Sequence, residues 1–385
     1  MSPFPGSTPI IDQLREETTM TFVPISADSH ITEPANCYRD HIEPAWRERA
    51  PHIERDPKFG DVYVVEGMKQ TIPMGLVAAA GVEPSSLRPG GARFEDLHRG
   101  GWDPAARLAD QDRDGVGAEV IYPTVGMVLC NHPDQDYKKA CFDAYNRWLQ
   151  QYTAHAPDRL IGIGQTGIRT VKEGIADLER IKAMGFRGVM MPGNPGELDY
   201  DDPAYDPFWE AAVALDLPLS FHILTSKTDS INSHRGPKIS GFLSIIRGCQ
   251  DIMSMLIFSG VFERHPKLKV VCVEADAGWA PHFMYRMDHA YKRHRYWMKG
   301  KELARLPSEY FRDNISLTFQ DDYIAFKLAD MMAPQQLMWA SDFPHSDSTW
   351  PWSQDVIAEQ TAHLSPSLRQ RVLHDNVADL YKLAA

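Results

Sequence analysis

Asp28 and His30 stand two residues apart, directly after the apolar run Phe22-Val23-Pro24-Ile25-Ser26-Ala27. Side chains alternate with period two along a β-strand, so this pair shares one face. A carboxylate oxygen and an imidazole nitrogen on one face can grip a single divalent cation. Three later apolar runs end in groups of the same kind: Phe221-His222, Val273-Glu274 and Ala340-Ser341-Asp342. Asp-x-His triplets arise often by chance, and each residue alone reads as a hydrogen-bonded core histidine or a helix-capping carboxylate. Four strand ends presenting one kind of ligand have a geometric meaning that none has alone.

The elements that must position these groups are legible as an alternation. Candidate strands are residues 21–27, 118–123, 160–165, 188–191, 217–222, 268–274, 315–319 and 337–341. Between them, helical periodicity covers 136–156, 171–184, 207–215, 239–262, 279–298 and 323–332, and Ser365-Pro366 opens a last helix with a cap and an N1 proline. Strands alternating with helices predict an α/β fold, a (β/α)8 TIM barrel, in which the C-terminal strand ends converge on one mouth. A doubly wound open sheet is the competitor, but no G-x-G-x-x-G follows the first strand. Residues 31–101, rich in Pro and Gly with a strand-like piece at 61–66, fit no barrel repeat and read as an insertion after strand one, lying over the mouth. The expected organisation is an N-terminal arm over 1–20 and a single barrel domain over 21–385.

Imidazole plus carboxylate suits zinc, iron(II) or manganese, and argues against calcium or magnesium. The expected cofactor is therefore one divalent transition metal held by Asp28, His30, His222, Glu274 and Asp342. A bound divalent ion lowers the pKa of its water from about 15.7 towards about 7, supplying hydroxide at neutral pH. Asp342 is placed to accept the water's proton and pass it on, with Glu274 as the alternative base. His345, three residues after Asp342, either bonds the metal-bound species or fixes the Pro344 loop.

Other candidates carry competing readings. Trp279 lines an aromatic pocket or packs a helix start. Tyr122, ending strand two, faces the mouth or the core. His234, with Arg235, binds a substrate carboxylate or sits in a solvated loop. The basic run Lys292–Arg295, interleaved with Tyr291, Tyr296 and Trp297, reads as a subunit contact or a solvated face.

Bulk properties bound the partners. The net charge of −12 disfavours nucleic acid and anionic membranes, and no apolar run approaches the roughly 20 residues that span a bilayer. The five cysteines lack C-x-x-C spacing, which suits reduced thiols in the cytoplasm. A small-molecule substrate is the expected partner.

Asp28-Ser29-His30-Ile31-Thr32-Glu33-Pro34, Phe221-His222, Ser341-Asp342-Phe343-Pro344-His345 and Asn376-Val377-Ala378-Asp379-Leu380-Tyr381 together resemble the amidohydrolase-related metal-dependent barrel proteins. These are the relatives of 2-amino-3-carboxymuconate-6-semialdehyde decarboxylase and γ-resorcylate decarboxylase. The resemblance runs from about residue 25 to 383 and implies a (β/α)8 barrel with one metal, its ligands matching Asp28, His30, His222 and Asp342. Together with the aromatic-basic helix, it suggests a homodimer.

Two departures from the family pattern matter. The decarboxylases carry His-x-His or Glu-x-His on strand one, where this chain has Asp28. They also place a histidine at the end of strand six, where this chain has Glu274, a metal ligand or general base. Strand four ends in Met190-Met191-Pro192-Gly193, with no lysine to bridge a second ion. The missing histidine favours a metal-dependent hydrolase acting on an ester, thioester, amide or activated C–C bond. The alternatives are a non-oxidative decarboxylase of an aromatic or muconate-like acid, and a binding protein with a structural metal.

Overall fold

The run carrying Asp28 and His30 is a strand, β1 (Ile25–Ile31), buried along its whole length. The computed structural model describes residues 22–196, 198–226 and 236–383; the expected N-terminal arm lies outside them. The sequence reading placed the first strand at 21–27. Pro24 has no N–H to give to a ladder, so pairing starts one residue later and the Asp-Ser-His triplet lies inside the strand.

After β1 the chain leaves the barrel. It forms a three-stranded antiparallel sheet of β2 (His52–Asp56), β3 (Gly60–Val64) and β4 (Ile72–Pro73), with β3 central. This is the segment the sequence marks as an insertion. Its return path, residues 74–82, is stitched beside the mouth: Ser346 N–H donates to Leu76 O at 3.0 Å and Ala80 N–H to Pro344 O at 3.0 Å. Thr32 Oγ1 adds a bond to Val77 O at 3.1 Å.

The barrel resumes with β5 (Ala118–Pro123), β6 (Leu160–Gln165), β7 (Gly188–Met191), β8 (Leu219–His222), β9 (Val270–Val273), β10 (Ile315–Phe319) and β11 (Leu337–Trp339). The strands form one parallel sheet in the order β1-β5-β6-β7-β8-β9-β10-β11. Almost every strand residue is buried, as expected where helices cover the outside and side chains fill the inside. The seam between β11 and β1 is bridged just past the end of β11: Asp342 N–H donates to Asp28 O at 3.0 Å and His30 N–H to Phe343 O at 2.6 Å. The sheet thus curls into a (β/α)8 barrel, as the alternation predicts.

Helices Gln135–Thr153, Val171–Ala183 and Asp206–Ala214 follow the sequence periodicity closely, while helix Pro104–Asp114 falls in a stretch where the sequence reading places none. The stretch 239–262 does not stay one helix. It divides into Arg247–Phe258 and Val261–Arg264 around Gly260, whose φ of +73° interrupts the helical run. No helix among the described residues is long and apolar enough to cross a membrane.

One buried ion pair anchors the seam from outside. Arg107, on helix Pro104–Asp114, has no exposure and bonds Glu119 Oε2 through Nε at 2.5 Å. Its other nitrogens donate to His30 O at 2.7 Å and to Phe343 O at 3.3 Å. Ser29, which faces away from Asp28 and His30, donates to the same Glu119 at 3.2 Å. One face of β1 therefore serves the mouth while the other is clamped to a helix.

Candidate metal centre

Asp28, His30, His222, Glu274 and Asp342 converge at the C-terminal mouth of the barrel. His30 Nδ1 lies 3.0 Å from Pro123 O, and His222 Nδ1 lies 3.0 Å from Ile223 O. A carbonyl only accepts, so each Nδ1 carries the proton and each Nε2 presents a lone pair inward. The two Nε2 atoms stand 3.2 Å apart. Two lone pairs at that distance repel unless a cation or a proton lies between them.

Carboxylates surround this pair. His30 Nε2 lies 3.4 Å from Asp28 Oδ1, 3.6 Å from Glu274 Oε2 and 3.5 Å from Asp342 Oδ1. His222 Nε2 lies 3.7 Å from Asp28 Oδ1 and 3.3 Å from Glu274 Oε2. Donors bonded at about 2.0–2.2 Å to one ion, at right to tetrahedral angles, sit roughly 2.8–3.6 Å from one another. Most of the observed spacings fall in that range, and the donors form two overlapping groups, Asp28, His30, His222 and Glu274, and His30, Glu274, Asp342 and His345, each with its ligand atoms within 4.8 Å of one another. Asp28 and Asp342 are fully buried, and among the described residues none of their four carboxylate oxygens has a hydrogen-bond partner. Burying unpaired carboxylate oxygens costs several kcal/mol unless a cation meets them. The donor set thus fits a divalent ion.

The electrostatics agree. Burial pushes the Asp342 carboxyl well above the usual carboxylate range, and the charge of Glu274 pushes it further. Burial also opposes ionisation of Asp28, but the charge of His30 and the closeness of both imidazoles outweigh it and hold that carboxyl below its usual range. Burial alone would lower His30, yet the charge of Asp28 wins and raises it well above an ordinary imidazole. These shifts share one meaning: negative charge is concentrated where positive charge must sit.

Two of the candidate ligand positions turn on strained backbone. Glu274, just after β9, has φ +56°, and Asp342, past β11, has φ +53°. The left-handed region costs a non-glycine residue roughly 1–2 kcal/mol, and such cost gathers at functional sites. Thr318 Oγ1 holds the first of these turns by accepting the Glu274 N–H at 2.9 Å.

His345 stacks on the His30 ring, with centroids 3.9 Å apart and planes inclined by 22°. Its Nδ1 lies 3.1 Å from Asp342 Oδ1 and its Nε2 lies 2.9 Å from Thr124 Oγ1. Burial, reinforced by the His30 charge, pushes its pKa well below that of a free imidazole.

The remaining candidates lie elsewhere. Tyr122 is fully buried beneath the histidines, its hydroxyl 2.9 Å from Ser220 Oγ and 3.3 Å from the Tyr381 hydroxyl. Ser220 precedes His222 by two residues on β8, so Tyr122 belongs to the layer below the mouth and is not at a substrate surface. Trp279 bonds its own loop, Nε1 to Ala275 O at 2.6 Å, and packs edge-on against Phe283 and Phe311, which is the packing reading. His234 lies outside the described residues.

Sequence reasoning missed Thr124, Glu33 and Arg107. Thr124 follows β5, and its strand-end position was the available signal. Glu33 is buried and accepts the N–H groups of Thr124, Val125 and Gly126 at 3.1, 2.9 and 3.2 Å. Burial raises its carboxyl to about 7 against those bonds. Nothing local marks Arg107, which lies in a stretch where the sequence shows no helical periodicity.

A (β/α)8 barrel with two histidines and three carboxylates at its mouth defines a class of barrels built to hold a metal. The amidohydrolase family model matches residues 28–383, and the chain belongs to that family. Among curated proteins it is 28% identical over 207 residues to 2-amino-3-carboxymuconate-6-semialdehyde decarboxylase of Dictyostelium discoideum, covering 52% of this chain and 55% of that one. The chain thus spans about half the length of this relative. It is 25% identical over 260 residues to γ-resorcylate decarboxylase of Polaromonas sp. (strain JS666), covering 62% of this chain and 75% of that one. Among solved structures, an amidohydrolase of Mycobacterium avium subsp. paratuberculosis K-10 matches with a TM-score of 0.77 at 22% identity, covering 94% of this chain and 100% of that one. The manganese-bound 5-carboxyvanillate decarboxylase of Novosphingobium aromaticivorans matches with a TM-score of 0.69 at 20% identity, covering 94% and 98%. The structural likenesses confirm the barrel. Both of these sequence relatives are themselves named as decarboxylases.

Proposed function

We propose that this enzyme is a metal-dependent, non-oxidative decarboxylase of an aromatic or muconate-like carboxylic acid. One observation carries the reading: two curated relatives, matching 52% and 62% of the chain, are decarboxylases. The mouth geometry supports it, because beside the cluster that fits an ion His345 Nδ1 stands 3.1 Å from Asp342 Oδ1, two groups able to carry a proton. Asp28, His30, His222, Glu274 and Asp342 would hold one ion, and the carboxylate-rich set suits manganese or iron as well as zinc.

When bound, the ion supplies Lewis-acid attraction for the substrate carboxylate and a neighbouring oxygen. The chain's own residues do the rest. Residues 74–82, apolar throughout except for two glycines, lie against the loop of Asp342 and His345 and offer a wall for a flat ring. As the carbon–carboxylate bond breaks, its electron pair stays on carbon. Asp342 and His345 then deliver a proton to that carbon, and CO2 departs. Glu274 adds negative charge beside Asp342 and keeps that proton available.

A second reading, hydrolysis, rests on one observation: strand six ends in Glu274 and not in a histidine. Product analysis separates the two. Manganese- or zinc-loaded protein is offered a panel of hydroxylated aromatic and muconate-like acids, with matched esters and amides, and both CO2 and released alcohol or amine are measured. CO2 from the acids supports the lyase. Turnover confined to esters or amides overturns it. The homodimer expectation rests on the exposed Tyr296 and Trp297 next to Lys292–Arg295, and sedimentation tests it.

A further inference from the structure

We infer that Asn131 and Leu224 are positioning residues for His222: Asn131 pins a left-handed turn at Leu224, and that turn aims the Ile223 carbonyl oxygen at the His222 ring. The inference rests on the metal-holding part of the proposed function and is independent of which reaction the ion serves.

The turn begins where β8 ends. Like Glu274 and Asp342, Leu224 stands just past a strand with a positive φ, here +64°. Leucine enters the left-handed region far less readily than glycine or asparagine, so neighbouring bonds must hold it there. Asn131 supplies one of them, its Nδ2 donating to Leu224 O at 3.0 Å. This bond fixes the plane of the peptide that follows Leu224. The φ of Leu224 then sets the plane of the peptide before it, whose carbonyl is Ile223 O, 3.0 Å from His222 Nδ1. An ordinary negative φ at Leu224 would swing that oxygen away from the ring.

The rest of the turn is tied down around this pair. Ile223 N–H donates to Val273 O at 3.2 Å, Thr225 Oγ1 to His222 O at 2.7 Å, and Gly193 N–H to Thr225 O at 3.1 Å. Asn131 reaches the turn from across the mouth. It follows the helix Val125–Leu129 after β5, and both β6 and β7 lie between β5 and β8 in the sheet. Strands β5 and β8 do not pair, so a side chain makes the link between the loops that follow them. A backbone acceptor behind a metal-binding imidazole fixes the direction in which the ring's other nitrogen faces. Losing such a partner typically costs about 10–100-fold in metal affinity.

Cobalt(II) binding to the metal-free protein tests this, with chelator competition reading affinity and visible absorption reading the geometry around the ion. Asn131→Leu, which keeps the size and removes the donor, is expected to weaken cobalt binding at least about tenfold and to change the absorption bands. Leu224→Asn, which enters the left-handed region readily, is expected to bind within about threefold of the wild type. Leu224→Val, whose branched Cβ resists that region, is expected to bind at least about tenfold more weakly. The two Leu224 variants decide the matter if Asn131→Leu fails to fold. Wild-type affinity and absorption in Asn131→Leu, or equal affinity in both Leu224 variants, overturns the inference. A wild type that takes up no cobalt overturns the metal reading and the inference with it. The expected cobalt results in a protein that decarboxylates no acid uphold the inference and overturn the lyase reading, so the failures are distinct.

Discussion

Asp342 donates its backbone N–H to the Asp28 carbonyl oxygen at 3.0 Å, so the bond that bridges the barrel's seam also sets two buried carboxylates side by side. Closure of the fold and assembly of the candidate metal shell are the same event. Arg107 reinforces it from outside by bonding the carbonyls of His30 and Phe343, one on each side of the seam.

Metal content and stability are expected to move together. The protein purified without chelators should hold one divalent transition metal per chain, and chelation should lower its melting temperature. An ion present at about 1,000 times its Kd adds roughly 4 kcal/mol to the folded state. Elemental analysis with thermal unfolding before and after chelation checks this. Two metals per chain, or none, would contradict it.

Arg107→Met is expected to destabilise the fold by about 3–5 kcal/mol, because Glu119 is left charged and buried without its partner. The double variant Arg107→Met, Glu119→Gln should recover much of that loss. Urea unfolding of the single and double variants measures both. Equal stability of the single variant and wild type would show that the seam does not depend on this pair.

Glu274→Gln is expected to cost at least about a hundredfold in kcat, the scale of losing an acid–base group. The change keeps the side chain's size and removes its charge from beside Asp342, while the bond from Glu274 N–H to Thr318 is untouched. Steady-state rates on the best acid substrate decide it, and near-normal turnover would refute a role for this carboxylate.

The contribution of Asp114 to fold stability should fall as pH rises towards about 7. Burial raises its carboxyl to about 7 in the folded protein, against bonds from Ser353 Oγ at 2.5 Å and Ser353 N–H at 3.1 Å. The unfolded carboxyl titrates near about 3.9. A folded value above the unfolded one means the native state holds a proton that the unfolded chain has released. This contribution is complete below about 4 and is lost as pH rises through about 7. Asp114→Asn should flatten the stability profile between these values. Denaturant unfolding from pH 5 to pH 8 reads the slope, and an unchanged slope would contradict the assignment.

The sequence shows its barrel clearly where strands are purely apolar. β5, β6, β7 and β10 lie where their β-branched or glycine-bounded runs predict. β1 was displaced because an apolar run containing Pro24 was read as already paired. The five proposed ligands were legible because they follow or close four apolar runs, and barrel geometry brings such strands' ends together without further information. Tyr122 was not separable from a mouth residue, since its depth depends on contacts with Ser220 and Tyr381, and Tyr381 lies 259 positions away. Thr124 and Arg107 act through hydrogen bonds to distant carbonyls, which leave no local pattern. The reaction was the least legible part, because hydrolysis and decarboxylation place the same residue types at the same strand ends.

The central claim is that one divalent ion sits among Asp28, His30, His222, Glu274 and Asp342. Crystals of the metal-loaded protein measured at the metal's absorption edge test it most directly. The account predicts a single anomalous peak at the mouth, about 2.0–2.3 Å from both Nε2 atoms and from carboxylate oxygens of the cluster. A peak elsewhere, two peaks in the mouth, or no peak from protein that binds metal stoichiometrically would contradict it.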